Sequence, residues 1–173
     1  MPHREYKKIR GIHMKNFRKI TAVILAVVAS ALLLTACGGG SGAAKDVDVA
    51  ALADELNKDT VTTDTLSETK SDMLKNIYFF EDGQVTESKA YSSSGATADE
   101  ICVVKCKDEA TTKDVEKLFE TRRDNQSTLY ASYNPDESDK LKKAVIKSSG
   151  VYTVFVVCDD YDKADKILKN YGF

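Results

Sequence analysis

Apolar positions along this chain follow two periods, and the switches between them divide it into elements. In "VDVAALADELNKD" (47–59), Val49, Leu52, Ala53 and Leu56 recur at i, i+3, i+4 and i+7. That spacing predicts a short helix with one apolar face, and Asp48 stands where a side chain can cap its first turn. Residues 59–70 are rich in Thr, Asp and Ser and read as a loop. "SDMLKNIYFF" (71–80) carries both signals: Met73, Leu74 and Ile77 suggest a helical turn, "IYFF" a strand. Asp82-Gly83 marks a turn after it. "VTESKAYS" (85–92) alternates weakly, "SSGATAD" (93–99) suits a hairpin loop, and "EICVVKCK" (100–107) is a better strand, rich in β-branched residues.

"TTKDVEKLFETRRDNQSTLYASY" (111–133) holds the strongest helical signal. Thr111 and Asp114 form a start signature, and Val115, Leu118, Phe119, Leu129, Tyr130 and Tyr133 fall on one broad stripe. Pro135 is expected to end this helix. A charged stretch follows at 136–143, with a helical turn around Leu141. "AVIKSSGVYTVFVVCDD" (144–160) reads as two strands about Ser148-Ser149-Gly150. The second strand is almost wholly apolar and is expected at the centre of a sheet. "DDYDKADKILKNYGF" (159–173) closes as a helix, with acids early and lysines late, which suits the helix dipole. The order is roughly α-β-β-α-β-β-α. It predicts an α+β two-layer sandwich, a mainly antiparallel sheet with helices on one face. No internal repeat is strong.

The first 36 residues have another character. "ITAVILAVVASALLL" (20–34) has no charge and follows the basic "MKNFRK" (14–19). This is the layout of a secretory signal peptide. Met14 opens a more typical basic region than Met1, so translation is expected to start there. "LTAC", Leu34 to Cys37, resembles the lipobox of bacterial lipoproteins. In that family the cysteine thiol receives a diacylglyceryl group and the chain is cut just before it. The resemblance implies that Cys37 is the lipidation site and the first mature residue. Two acyl chains hold a protein to a membrane where one holds marginally. Residues 37–46, containing "GGGSGAAK", then read as a flexible tether, and 47–173 as one globular domain.

Charge changes meaning once the chain is divided at Cys37. The formal charge of the 173 residues is −2, but the first 36 carry seven basic side chains and one acid. The 18 basic and 26 acidic residues of 37–173 leave that part at −8. A net-negative body lacks the basic patch that nucleic-acid binding requires. Both histidines, His3 and His13, precede Cys37, so a mature chain has no imidazole for a catalytic triad or a histidine-ligated zinc. No run after Cys37 approaches the roughly 20 apolar residues of a membrane-spanning helix.

Three groups of residues are candidates for chemistry. Cys102 and Cys106 lie about 13 Å apart on an extended strand, at about 3.3 Å per residue. They cannot bridge each other, and should face the same side as Val104. Either could meet Cys158 if their strands are neighbours, but buried thiols serving as small hydrophobes explain all three. Arg122 and Gln126 interrupt the apolar stripe of the long helix. A guanidinium on a core-facing line organises a ligand, or pairs with Glu120 or an acid on the sheet. Arg122, Gln126, Tyr130 and Tyr133 are therefore the candidate ligand-binding residues. "DDYDKAD" (159–165) is acidic but lacks calcium-loop spacing, and capping with dipole matching accounts for it. No catalytic residue, metal ligand or cofactor site is expected.

The segments "VDVAALADEL", "YSSSGATADEICVVKCKD", "ETRRDNQSTLYASY" and "GVYTVFVVCDD" resemble an uncharacterised domain family found on lipoproteins of low-GC Gram-positive bacteria. The resemblance spans about residues 47–170 and implies an address, the extracytoplasmic face of the membrane, without a mechanism. The functional expectation is a membrane-anchored extracytoplasmic binding or interaction module, with a cell-envelope component or surface protein as partner. The alternatives are a carboxylate-based hydrolase and a structural or assembly lipoprotein.

Overall fold

The computed structural model describes residues 46–60 and 62–173. The signal peptide, Cys37 and nearly all of the tether lie outside the described residues. Ten elements follow in order: α1 (Val49–Asp59), β1 (Ser67–Thr69), α2 (Ser71–Tyr78), β2 (Val85–Ser92), β3 (Glu100–Cys106), α3 (Glu109–Ala131), α4 (Pro135–Lys142), β4 (Val145–Ser149), β5 (Tyr152–Val157) and α5 (Tyr161–Tyr171). The five strands form one antiparallel sheet in the order β1-β2-β3-β5-β4. The fold class is α+β, a helix-and-sheet sandwich.

Helices cover both faces of the sheet, not one. Strand alternation shows this directly, since successive side chains point to opposite faces. Ile101 and Val103 of β3, with Val154 and Val156 of β5, pack against Leu52, Ala53 and Leu56 of α1 and Ala164, Ile167 and Leu168 of α5. The intervening Cys102, Val104, Phe155 and Val157 pack against Leu74 and Tyr78 of α2, Val115, Phe119 and Tyr130 of α3, and Leu141 of α4. Two covered faces explain why every residue of β5 is buried. Strand β5 is interior, between β3 and β4, while the middle place belongs to β3. The β4–β5 turn is Gly150-Val151, because Ser149 pairs with Tyr152. Gly150 has φ +55°, which the first position of a tight two-residue hairpin turn requires.

Asp48 caps α1 by accepting from the Ala51 amide at 2.9 Å, as its position predicts. The long helix starts earlier than its sequence signature. Asp108, not Thr111, is the cap, accepting from the Thr111 amide at 2.9 Å. That helix ends at Ala131, and Pro135 opens α4 at its first turn, where a missing amide proton costs nothing. Leu129 and Tyr133 are exposed at 54% and 57%, so the stripe that meets the core keeps Val115, Phe119 and Tyr130, with Leu118 half-buried beside them. The loop reading of 59–70 misses β1, three residues without apolar pattern that exist as a strand by pairing with the end of β2.

The ambiguous segment 71–80 is a helix that stops abruptly. Phe79 takes the left-handed conformation, φ 62° and ψ 34°, and turns the chain so that Phe80 stacks on Tyr78 with ring centroids 5.3 Å apart. Tyr78, Phe80, Phe119 and Phe155 form one aromatic cluster. The Phe79 side chain itself is 69% exposed. A left-handed residue with a Cβ costs about 1–2 kcal/mol, so Phe79→Gly should stabilise the domain by about 0.5–1 kcal/mol after the entropy of glycine is counted. Urea denaturation measures it, and a loss of stability would show that the exposed ring is held by something.

Candidate functional site

The loop joining β2 to β3 and the start of β3 carry two adjacent acids, Asp99 and Glu100, both buried. Consecutive residues in an extended chain project to opposite sides, and these two acids are neutralised by different cations. Glu100 meets α3. Arg122 donates from Nη2 to Glu100 Oε2 at 3.0 Å and from Nε to the same oxygen at 3.3 Å. The Tyr78 hydroxyl donates to Glu100 Oε1. The side chains of Glu100 and Arg122 are 6% and 24% exposed. Burial alone would lower the Arg122 pKa, but the Glu100 charge and hydrogen bonds raise it. The acid that Arg122 pairs with is thus one on the sheet, not Glu120.

Arg122, Gln126 and Tyr130 lie at i, i+4 and i+8 on α3 and line one hollow of about 90 Å³ with Ser93, Thr97 and Glu100. The Tyr130 hydroxyl donates to the carbonyl oxygens of Thr97, at 2.5 Å, and Gly95, at 3.2 Å. This fixes the β2–β3 loop against the helix. Burial, with the neighbouring Tyr133, pushes the Tyr130 phenol up to about 12. Tyr133 is not part of the lining; its exposed ring lies 5.1 Å from that of Tyr130. Thr97 Oγ1 is the one buried side-chain oxygen or nitrogen without a hydrogen-bond partner among the described residues.

Asp99 faces a second cluster, built around Lys140 of α4. The ammonium lies 3.0 Å from Asp99, 3.3 Å from Glu137 and 2.8 Å from Asp159. Its side chain is 10% exposed, and that of Asp99 is fully buried. The second Asp99 oxygen accepts from the amides of Thr63 and Asp64 at 3.0 and 3.3 Å. Glu137 also accepts from the Ala98 amide at 2.7 Å. Burial works against a charged Lys140, but the bonds to Asp159 and Asp99 outweigh it and raise its pKa. A hollow of about 520 Å³ opens beside this cluster, lined by Asp136, Asp139, Lys143 and Tyr161 among others.

The remaining candidates have structural roles. Cys102 and Cys106 share the α3 face of the sheet with Val104, whereas Cys158 lies in the core of the other face. All three thiols are free and buried. Burial pushes Cys102 and Cys106 up and Cys158 up to about 12, so they are poor nucleophiles. The acidic run 159–165 is divided among partners: Asp160 caps α5 through the Lys163 amide, Asp159 pairs with Lys140, and Asp165 with Lys147 and Lys169. Among the described residues no cluster of potential metal ligands is present, and no helix is long and apolar enough to cross a membrane.

The sequence did not single out Glu100, Tyr78, Thr97 or Lys140. Glu100 had one signal, a charge opening the apolar run Ile101 to Val104. Lys140 had none, because a charged stretch such as 136–143 looks like a solvated face.

Sheet, helical layers and polar hollow together define a layered α+β domain, with a small polar cleft where a hairpin loop meets the long helix. A family model described as a domain of unknown function, DUF4358, matches residues 59–158, and the chain belongs to that family. The match runs from the last residue of α1 to one residue past β5. Nearly all of the helical layer on one face, α1 and α5, therefore lies outside it. No curated protein and no solved structure matches the chain.

Proposed function

We propose that this protein is a lipid-anchored extracytoplasmic binding module of the cell envelope, tethered through Cys37. The lipobox-like "LTAC" at the end of an apolar leader supports the anchor. Among the described residues buried core begins at Val47, ten residues past Cys37, a reach of at most about 35 Å. A domain on such a tether works close to the membrane surface.

The observation that carries binding over catalysis is the pairing of buried acids with cations. Glu100 is neutralised by Arg122, and Asp99 and Glu137 share Lys140. A carboxylate-based hydrolase needs an acid and a base positioned to exchange protons across a cleft. Here Glu137 and Asp159, beside the larger hollow, are tied to one ammonium, and Asp139 to Lys142. The smaller hollow instead presents fixed hydrogen-bonding groups, which is how binding sites gain orientation.

Cys37→Ala tests the anchor. The variant should leave the membrane fraction and lose the mass of the lipid. Retention at the membrane with unchanged mass would refute the lipoprotein reading.

A further inference from the structure

The hollow lined by Arg122, Gln126 and Tyr130 has a chemistry that narrows its ligand. Of the two buried acids along it, Glu100 is matched by Arg122 and the Asp99 carboxylate is taken up by Lys140 and the Thr63 and Asp64 amides, so the site has little net charge to offer an ion. What it offers is hydrogen bonding: the Gln126 amide and the Arg122–Glu100 pair line it, while the Ser93 hydroxyl already donates to the Thr97 carbonyl and accepts from the Gly95 amide. The pair leaves Arg122 Nη1 out of its bonding. Beside the lining lies an exposed aromatic ring, Tyr133, 5.1 Å from Tyr130.

Neutral hydrogen-bonding groups next to an exposed aromatic face suit a carbohydrate. Sugar hydroxyls both donate and accept, and the C–H face of a sugar ring lies well on an aromatic side chain. The hollow, at about 90 Å³, is far smaller than the roughly 300 Å³ at which pockets for whole drug-sized ligands begin. It therefore takes a side group while the ring remains outside, on Tyr133. An acetamido arm fits: its N–H complements the Gln126 carbonyl, its C=O the Gln126 amide N–H or Arg122 Nη1, and its methyl group fills space.

We infer that this cleft binds a neutral glycan carrying N-acetyl groups, with the acetamido arm in the Arg122–Gln126–Tyr130 hollow and the sugar ring on Tyr133. The inference deepens the binding-module reading and rests on it. The full chain in detergent micelles is titrated with N-acetylated chitotriose, with cellotriose and with triglycine, each followed by saturation-transfer NMR. Saturable binding of chitotriose, with a Kd of about 1 mM or tighter, is the expected result. Tyr133→Ala and Gln126→Ala should each weaken it about fivefold or more. Tyr133 is exposed, so its variant should keep the wild-type thermal midpoint, while Leu129→Ala on the same exposed surface should keep wild-type binding.

Three results overturn the glycan: no saturation by chitotriose, equal binding of cellotriose, or binding that neither variant weakens. Binding of triglycine alone would also overturn it while leaving a binding module in place. The Cys37→Ala fractionation reports separately on the anchor.

Discussion

Replacing Lys140 with methionine should cost the domain about 3–5 kcal/mol, the usual penalty for removing one partner of a buried ion pair. Among the described residues the ammonium is the only cation paired with Asp99, whose side chain is fully buried, and its single charge is shared with Glu137 and Asp159. Methionine keeps the volume but strands the acids. Natural domains have about 5–15 kcal/mol of stability to lose, so the variant should be close to unfolding. Asp99→Asn in the same chain should recover part of the loss. Its carbonyl oxygen can still accept from the Thr63 and Asp64 amides, while its charge is gone.

The effect has a pH window, set by the two groups whose shifts have clear directions. Lys140 is raised when folded, so its contribution is complete below its unfolded value of about 10.4 and is lost as pH rises through the folded value. Asp159 is lowered: burial opposes this, but the bonds from Lys140 and Thr63 prevail. Its contribution is present above its unfolded value of about 3.9 and is lost as pH falls through the folded one. The gap between wild type and Lys140→Met should therefore be widest between about pH 4 and pH 10. Urea midpoints across that window measure it. A gap under about 1 kcal/mol would mean that water, not Lys140, satisfies the acids.

Arg122→Met should be the second most damaging change, at about 3 kcal/mol. Glu100 would keep the Tyr78 hydroxyl and lose its charge partner. Glu100→Gln alone should cost less, because a glutamine carbonyl still accepts from Tyr78. The double variant should be more stable than the sum of the two losses predicts, by about 1–3 kcal/mol of coupling. Strict additivity would show that Arg122 and Glu100 do not depend on each other for stability. Arg122 also lies over the Tyr78 ring, 5.9 Å from its centroid, so part of the loss is packing.

These charge pairs mark the limit of what a linear pattern reveals. The helix at 49–59 was readable because its four buried residues are spaced for one face, and Asp48 caps it as expected. Strands β2, β3, β4 and β5 were readable from β-branched runs and punctuating glycine and serine. The segment 71–80 was not, since "IYFF" suits a strand as well as a helix end. Only Phe79 in the left-handed region decides between them. Strand β1 has no pattern of its own and exists through its partner. Arg122, Gln126 and Tyr130 stood out as polar or amphipathic residues on a core-facing line, and the fold brings these three around one hollow. Tyr133 remains outside that lining because α3 ends two residues before it.

By itself, the sequence determined the period of most helices and strands and the mainly antiparallel α+β class, because these depend on local spacing. Only the tertiary structure decided which sheet faces are covered, since alternation within β3 and β5 yields two apolar faces whose partners lie far along the chain. It alone decided which charges are buried. Asp99 meets Lys140 across 41 residues and Glu100 meets Arg122 across 22, and a charged residue in a linear sequence does not show whether water or another side chain will neutralise it.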